Sequence, residues 1–150
     1  RFLLDFSKGE QREPAYQSIN PKERVPALIT EDGVLTETPA ILVYIAQRYG
    51  PGSMIGANEP YAFAKIQELN SYLASTVHVA HAHRFRGTRW TDDPHALEAM
   101  TKKVPETMAA AVSLIEEHFF FVRGIPVTHP PYVTLIFSQY ALGLKAMGLI

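Results

Sequence analysis

The stretch that most constrains this fold is "GPGSMIGANEP", residues 50–60, which holds three glycines and two prolines. That density of residues hostile to regular structure marks a connector. The apolar pattern differs on its two sides. Upstream, short apolar runs alternate with turns: "VPALIT" at 25–30, "EDG" at 31–33 and "VLT" at 34–36. Downstream, apolar residues recur at helical spacing over much longer segments. The pattern predicts an α/β unit over 1–49, a linker over 50–60 and an all-α unit over 61–150.

Within the first unit, "RFLLDF" at 1–6 reads as the end of a strand, and 7–21 as irregular with at most one helical turn around Pro14–Gln17. "VPALIT" and "VLT" read as an antiparallel pair, because Asp32-Gly33 is a strong hairpin dipeptide. A helix is expected from Thr38 to Tyr49, with Ile41, Leu42, Ile45 and Ala46 on one face. Pro39 falls early in it, where a missing N–H costs little. In the second unit a helix over 61–84 carries Phe63, Ile66, Leu69, Tyr72 and Leu73 along one stripe. Another over 94–121 turns Leu97, Met100, Val104, Met108, Val112 and Ile115 inward, with Pro105 expected to kink it or limit the local hydrogen bonding. A last helix is expected over 130–147.

Composition narrows the function. The chain has 150 residues, 47% of them hydrophobic, and a formal net charge of −1, enough to bury a real core. The balanced charge gives no electrostatic case for nucleic acid or an anionic membrane, "HRFRGTR" at 83–89 being the one basic cluster. No apolar run approaches the roughly 20 residues of a membrane span, and no secretory leader is visible. There is no cysteine, which excludes disulfides, thiolate metal sites and dithiol redox chemistry within these residues. A cytoplasmic location is the simplest reading. The chain opens on Arg1 rather than Met, which fits a start partway through a gene product or after processing.

"INPKERVPAL" (19–28), "DGVLTETPAILVYIAQRY" (32–49) and "LNSYLASTVHVAHAH" (69–83), with a fainter "FSQYALG" (137–143), together resemble cytosolic glutathione transferases, most of all the bacterial beta-type enzymes. The resemblance implies a thioredoxin-like N-terminal domain, incomplete here, followed by a helical C-terminal domain. It implies a homodimer that conjugates the thiol of glutathione, as co-substrate and without a metal, to a small electrophile. By that resemblance Pro26 is a cis proline, and Val25 pairs backbone-to-backbone with the cysteinyl unit of glutathione. Glu37 would take the γ-glutamyl ammonium as a charge-assisted pair. Thr38, at the start of a helix, would take the neighbouring carboxylate. Taken alone, Glu37 and Thr38 also fit an ordinary helix start with an acidic dipole partner. Lys8 and Lys22 are candidates for the glycyl carboxylate.

His78, His81 and His83 fall on one helix, and His78 and His81 can share a face. With no cysteine and no HExxH pattern, metal binding is not expected. In beta-type enzymes a histidine after "LAS-x-V" faces the cleft and assists the thiol; "LASTVH" puts His78 there, although a solvated or core-packed His78 fits as well. The lysine common after it is Val79 here. Trp90, Arg84 and Arg86 can line an electrophile pocket or serve as packing and surface residues.

The resemblance also implies that the thiol-activating Tyr, Ser or Cys lies on a strand–helix unit preceding Arg1. That strand would sit between the "RFLLDF" and "VPALIT" strands, so residues 1–49 are not expected to be stable alone. Near the C-terminus the family's T-x-x-D capping box aligns with Thr128 and Pro131, and proline can supply neither bond of the box. These departures keep a second reading open, a non-catalytic binding or assembly module on the same fold. A thioredoxin or glutaredoxin is excluded by the missing cysteines.

Overall fold

A computed structural model describes residues 2–50 and 59–120. The chain divides into two compact units, Arg1–Ala57 and Asn58–Ile150. The expected helix over 130–147, the Thr128/Pro131 cap and most of the 50–60 connector lie outside the described residues.

Among the described residues the first unit begins without a strand. Residues 2–5 are irregular, and Asp5 caps a 3-10 turn at Phe6–Lys8 by accepting the Ser7 N–H at 2.9 Å and the Ser7 hydroxyl at 2.6 Å. The strand expected at 1–6 is therefore corrected. A strand exists only where a neighbour takes its hydrogen bonds, and among the described residues none lies beside this segment. Phe2 and Leu3 are accordingly 95% and 77% exposed. A short helix α1, Pro14–Gln17, follows.

Strands β1 (Ala27–Thr30) and β2 (Gly33–Thr36) form a two-stranded antiparallel sheet. The register pairs Ala27 with Thr36 and Thr30 with Gly33, so the loop is Glu31-Asp32 and not Asp32-Gly33. Thr30 decides this: its hydroxyl donates to the Gly33 carbonyl at 2.8 Å and accepts the Asp32 N–H at 3.2 Å. Gly33 can then open β2 at φ 135°, a backbone that side-chain-bearing residues avoid. Alternation puts Leu28 opposite Leu35 on the half-buried face, and Ile29 opposite Val34 on the exposed one.

Helix α2 runs Thr38–Tyr49, as the pattern predicts. Of its apolar stripe, Ile41 and Ala46 are buried, Leu42 is half-buried and Ile45 is exposed. A hairpin of two four-residue strands is too narrow to cover the whole face.

The second unit is helical. Helix α3 (Pro60–Tyr72) passes through one wider π-helical turn, Leu73–Val77, into α4 (His78–Arg86). After a 3-10 turn at Gly87–Arg89, helix α5 runs Pro94–Ile115. Asp93 starts it by accepting the His95 N–H at 2.9 Å, with Pro94 in the first turn. Pro105 does not end it; the proline is on an exposed face. Leu69, Leu73, Val77, Ala82, Val104, Met108, Ala111 and Ile115 are buried and make up the core of this unit. Each large apolar side chain buried this way contributes about 1.5–3 kcal/mol. Leu97, Met100 and Val112 are only half-buried.

Candidate functional site

The hairpin register assembles the site. Ala27 and Thr36 are the last pair, so the chain enters β1 through Val25–Pro26 at the same end at which it leaves β2 through Glu37–Thr38. Four residues that are eleven to thirteen positions apart in sequence are thereby brought to one edge. The Val25–Pro26 peptide is cis, as the resemblance implies. Val25 is 45% exposed, and its N–H and C=O make no backbone hydrogen bond to another described residue. An extended ligand backbone can therefore pair with both.

Across the edge, Glu37 occupies the cap position of α2 with φ 71° and ψ 116°. This conformation is unusual for a residue with a Cβ. It lets the Glu37 carbonyl accept the Ile41 N–H at 3.0 Å, which starts the helix, while the side chain stands outside it. The next N–H groups, on Thr38 and Ala40, have no acceptor within the helix. They and the Thr38 hydroxyl form a donor set suited to a carboxylate.

Lys22 closes the arrangement. Its Nζ donates to Thr36 Oγ1 at 2.6 Å and to Glu37 Oε1 at 2.5 Å. The residue weighed for the glycyl carboxylate is thus tied to the helix mouth, and Lys8 instead pairs with Asp5 at 3.4 Å. Below Val25, the Arg24 carbonyl accepts from Tyr16 Oη at 2.6 Å and from Asn20 Nδ2 at 2.5 Å. Neither Tyr16 nor Asn20 stood out in the sequence as a functional residue. Tyr16 gave no signal, and Asn20 gave only its place at the head of "NPKERVP".

In the second unit His78 is exposed and directly follows the π-helical turn. Such turns change the register of side chains and recur at functional sites. His81 packs against Phe85, with ring centroids 5.7 Å apart, and His83 meets Trp90 edge-on at 4.5 Å. Partial burial, with Arg84 and Arg86 nearby, holds the His81 imidazolium below its ordinary pKa. The histidines do not converge: among the described residues no group of three or more His, Cys, Asp or Glu side chains can hold a metal ion. No helix among them is long and apolar enough to cross a membrane.

Known proteins resemble this chain. The family "Glutathione S-transferase, N-terminal domain" matches residues 2–47. A glutathione transferase homolog from Sulfitobacter, solved with bound glutathione, superposes with a TM-score of 0.73 at 34% identity, covering 97% of this chain and 84% of that one. Maleylacetoacetate isomerase of Pseudomonas aeruginosa is 35% identical over 74 residues, which is 49% of this chain and 34% of that protein. Protein URE2 of Debaryomyces hansenii is 47% identical over 50 residues, 31% of this chain and 16% of that one. The chain thus spans about a third or less of the length of these two curated relatives. It belongs to the glutathione transferase family, with a thioredoxin-like N-terminal domain and a mostly helical C-terminal region.

Proposed function

We propose that this chain carries the glutathione cradle of a glutathione transferase. The observation that carries the reading is the hairpin register, which sets a backbone donor–acceptor pair at Val25 beside a carboxylate and a helix mouth at Glu37–Thr38. Glutathione matches it group for group. Its cysteinyl amide and carbonyl pair with Val25 ahead of Pro26, its ammonium pairs with Glu37, and its γ-glutamyl carboxylate takes the donors at Thr38. The homolog solved with glutathione bound supports this ligand.

The reaction we assign is attack of the glutathione thiolate on an electrophilic, mostly apolar substrate. Thiol activation falls to the upstream segment that the resemblance implies, with His78 assisting as a polarising imidazole, as in the beta-type enzymes. A cytoplasmic homodimer, with domains over 1–49 and 61–150, completes the reading.

Titration calorimetry with glutathione tests the cradle. Glu37→Ala should weaken binding about 10-fold, the scale of one charge-assisted hydrogen bond. Val25→Pro, which removes the N–H, should nearly abolish it. Unchanged affinity in both variants refutes the cradle. Turnover of a generic aromatic electrophile by the protein supports the enzyme, and tight binding without turnover assigns a binding module.

A further inference from the structure

We propose that Tyr16 and Asn20 are positioning residues that pre-orient and strengthen the Val25 N–H as a donor to glutathione. The inference rests on the glutathione reading and extends it by two residues that need not touch the ligand. Arg24 C=O and Val25 N–H belong to one planar peptide unit and point in opposite directions. Fixing the carbonyl therefore fixes the amide. Tyr16 Oη at 2.6 Å and Asn20 Nδ2 at 2.5 Å occupy both acceptor positions of that oxygen. Rotation of the peptide would break both bonds.

The two donors are themselves held. Asn20 is 1% exposed, its Oδ1 accepts the Lys22 N–H at 3.2 Å, and its own N–H donates to the Tyr16 carbonyl at 2.8 Å. The Tyr16 N–H donates to the Glu13 carbonyl at 2.9 Å, in the first turn of α1. Hydrogen bonds thus link α1 through Tyr16 and Asn20 to the Arg24 carbonyl, and the Val25 N–H of the same peptide has no backbone partner among the described residues.

Two effects follow. A preset amide loses no rotational freedom when the ligand carbonyl arrives. Two donors on the carbonyl also polarise the peptide, making its N–H a stronger donor. A buried amide that served only the loop would be indifferent to the ligand.

Glutathione affinity of the protein, measured for wild type, Tyr16→Phe, Asn20→Asp and Glu37→Ala, tests this. Tyr16→Phe removes one hydroxyl at a half-buried position and should weaken binding about 3-fold, and Asn20→Asp about 10-fold, the range for one hydrogen bond. The Val25 amide resonance supplies a readout that loop stability does not move. In ligand-free Tyr16→Phe it should shift upfield while amides of α5 stay in place. Should Asn20→Asp fail to fold, Tyr16→Phe carries the test. Affinity lost in Glu37→Ala but kept in both other variants overturns the positioning role and leaves the cradle standing. No binding by wild type overturns the cradle, and the positioning role with it.

Discussion

The backbone at Glu37 can be tested by a pair of substitutions that differ in a single methyl group. Glu37→Ala and Glu37→Gly both remove the carboxylate, and with it the Lys22 pair. That pair is worth little to stability: its side chains are 44% and 57% exposed, so its loss costs about 0–1 kcal/mol in either variant. What remains is the Cβ. At an ordinary position glycine is the less stable of the two by about 0.5–1 kcal/mol. At φ 71° and ψ 116° the order should reverse, because a residue with a Cβ bears a cost of about 1–3 kcal/mol there. Setting the two against each other leaves glycine ahead by about 1 kcal/mol, within a range of about 0–2.5 kcal/mol. Urea unfolding followed by circular dichroism reads the difference as a change in midpoint at constant slope. Glutathione affinity should fall by the same factor in both variants, since the lost group is the carboxylate. If alanine proves more stable than glycine, as at an ordinary position, the strained conformation is wrong and so is the account of how Glu37 is held out at the helix mouth. If glycine alone retains affinity, the carboxylate does not take the ammonium.

The remaining predictions concern the helical unit. A Cβ added at Gly87 would lie 2.7 Å from Leu97 Cδ2 and 3.3 Å from Met100 Cε, both side-chain ends that can move. Gly87→Ala should therefore cost only about 1 kcal/mol, read by thermal unfolding. His81 titrates below its ordinary value in the folded protein, so the unfolded chain takes up its proton first as pH falls through about 6.5. Its contribution to stability is full above that pH and is lost on acidification toward the lower folded value. The thermal midpoint should drop less between pH 7 and 5.5 in His81→Gln than in wild type.

Where local chemistry decides structure, the sequence determined the outcome by itself. Helix α2 starts and stops where its Thr-Pro start and trailing glycine put it. The change from short apolar runs to helical spacing separates a hairpin unit from a helical one, and the core positions Leu69, Leu73, Val104, Met108 and Ile115 follow from periodicity. Resemblance to a family motif grouped Val25, Pro26, Glu37 and Thr38, and the hairpin register puts them at one edge.

Tertiary structure decided the rest. "RFLLDF" has strand composition, but a strand needs a neighbour, and composition cannot supply one. Ile45 sits on the apolar face of α2 and is nevertheless exposed, because burial depends on what covers the face. The hairpin loop moved by one residue because a Thr30 hydroxyl bond outweighed the dipeptide preference. The Tyr16–Arg24–Asn20 clamp and the Lys22–Glu37 bridge join residues up to fifteen positions apart. No spacing rule links such residues: only the folded path of the chain, with its loop turned back on the hairpin edge, brings their polar atoms within hydrogen-bonding distance.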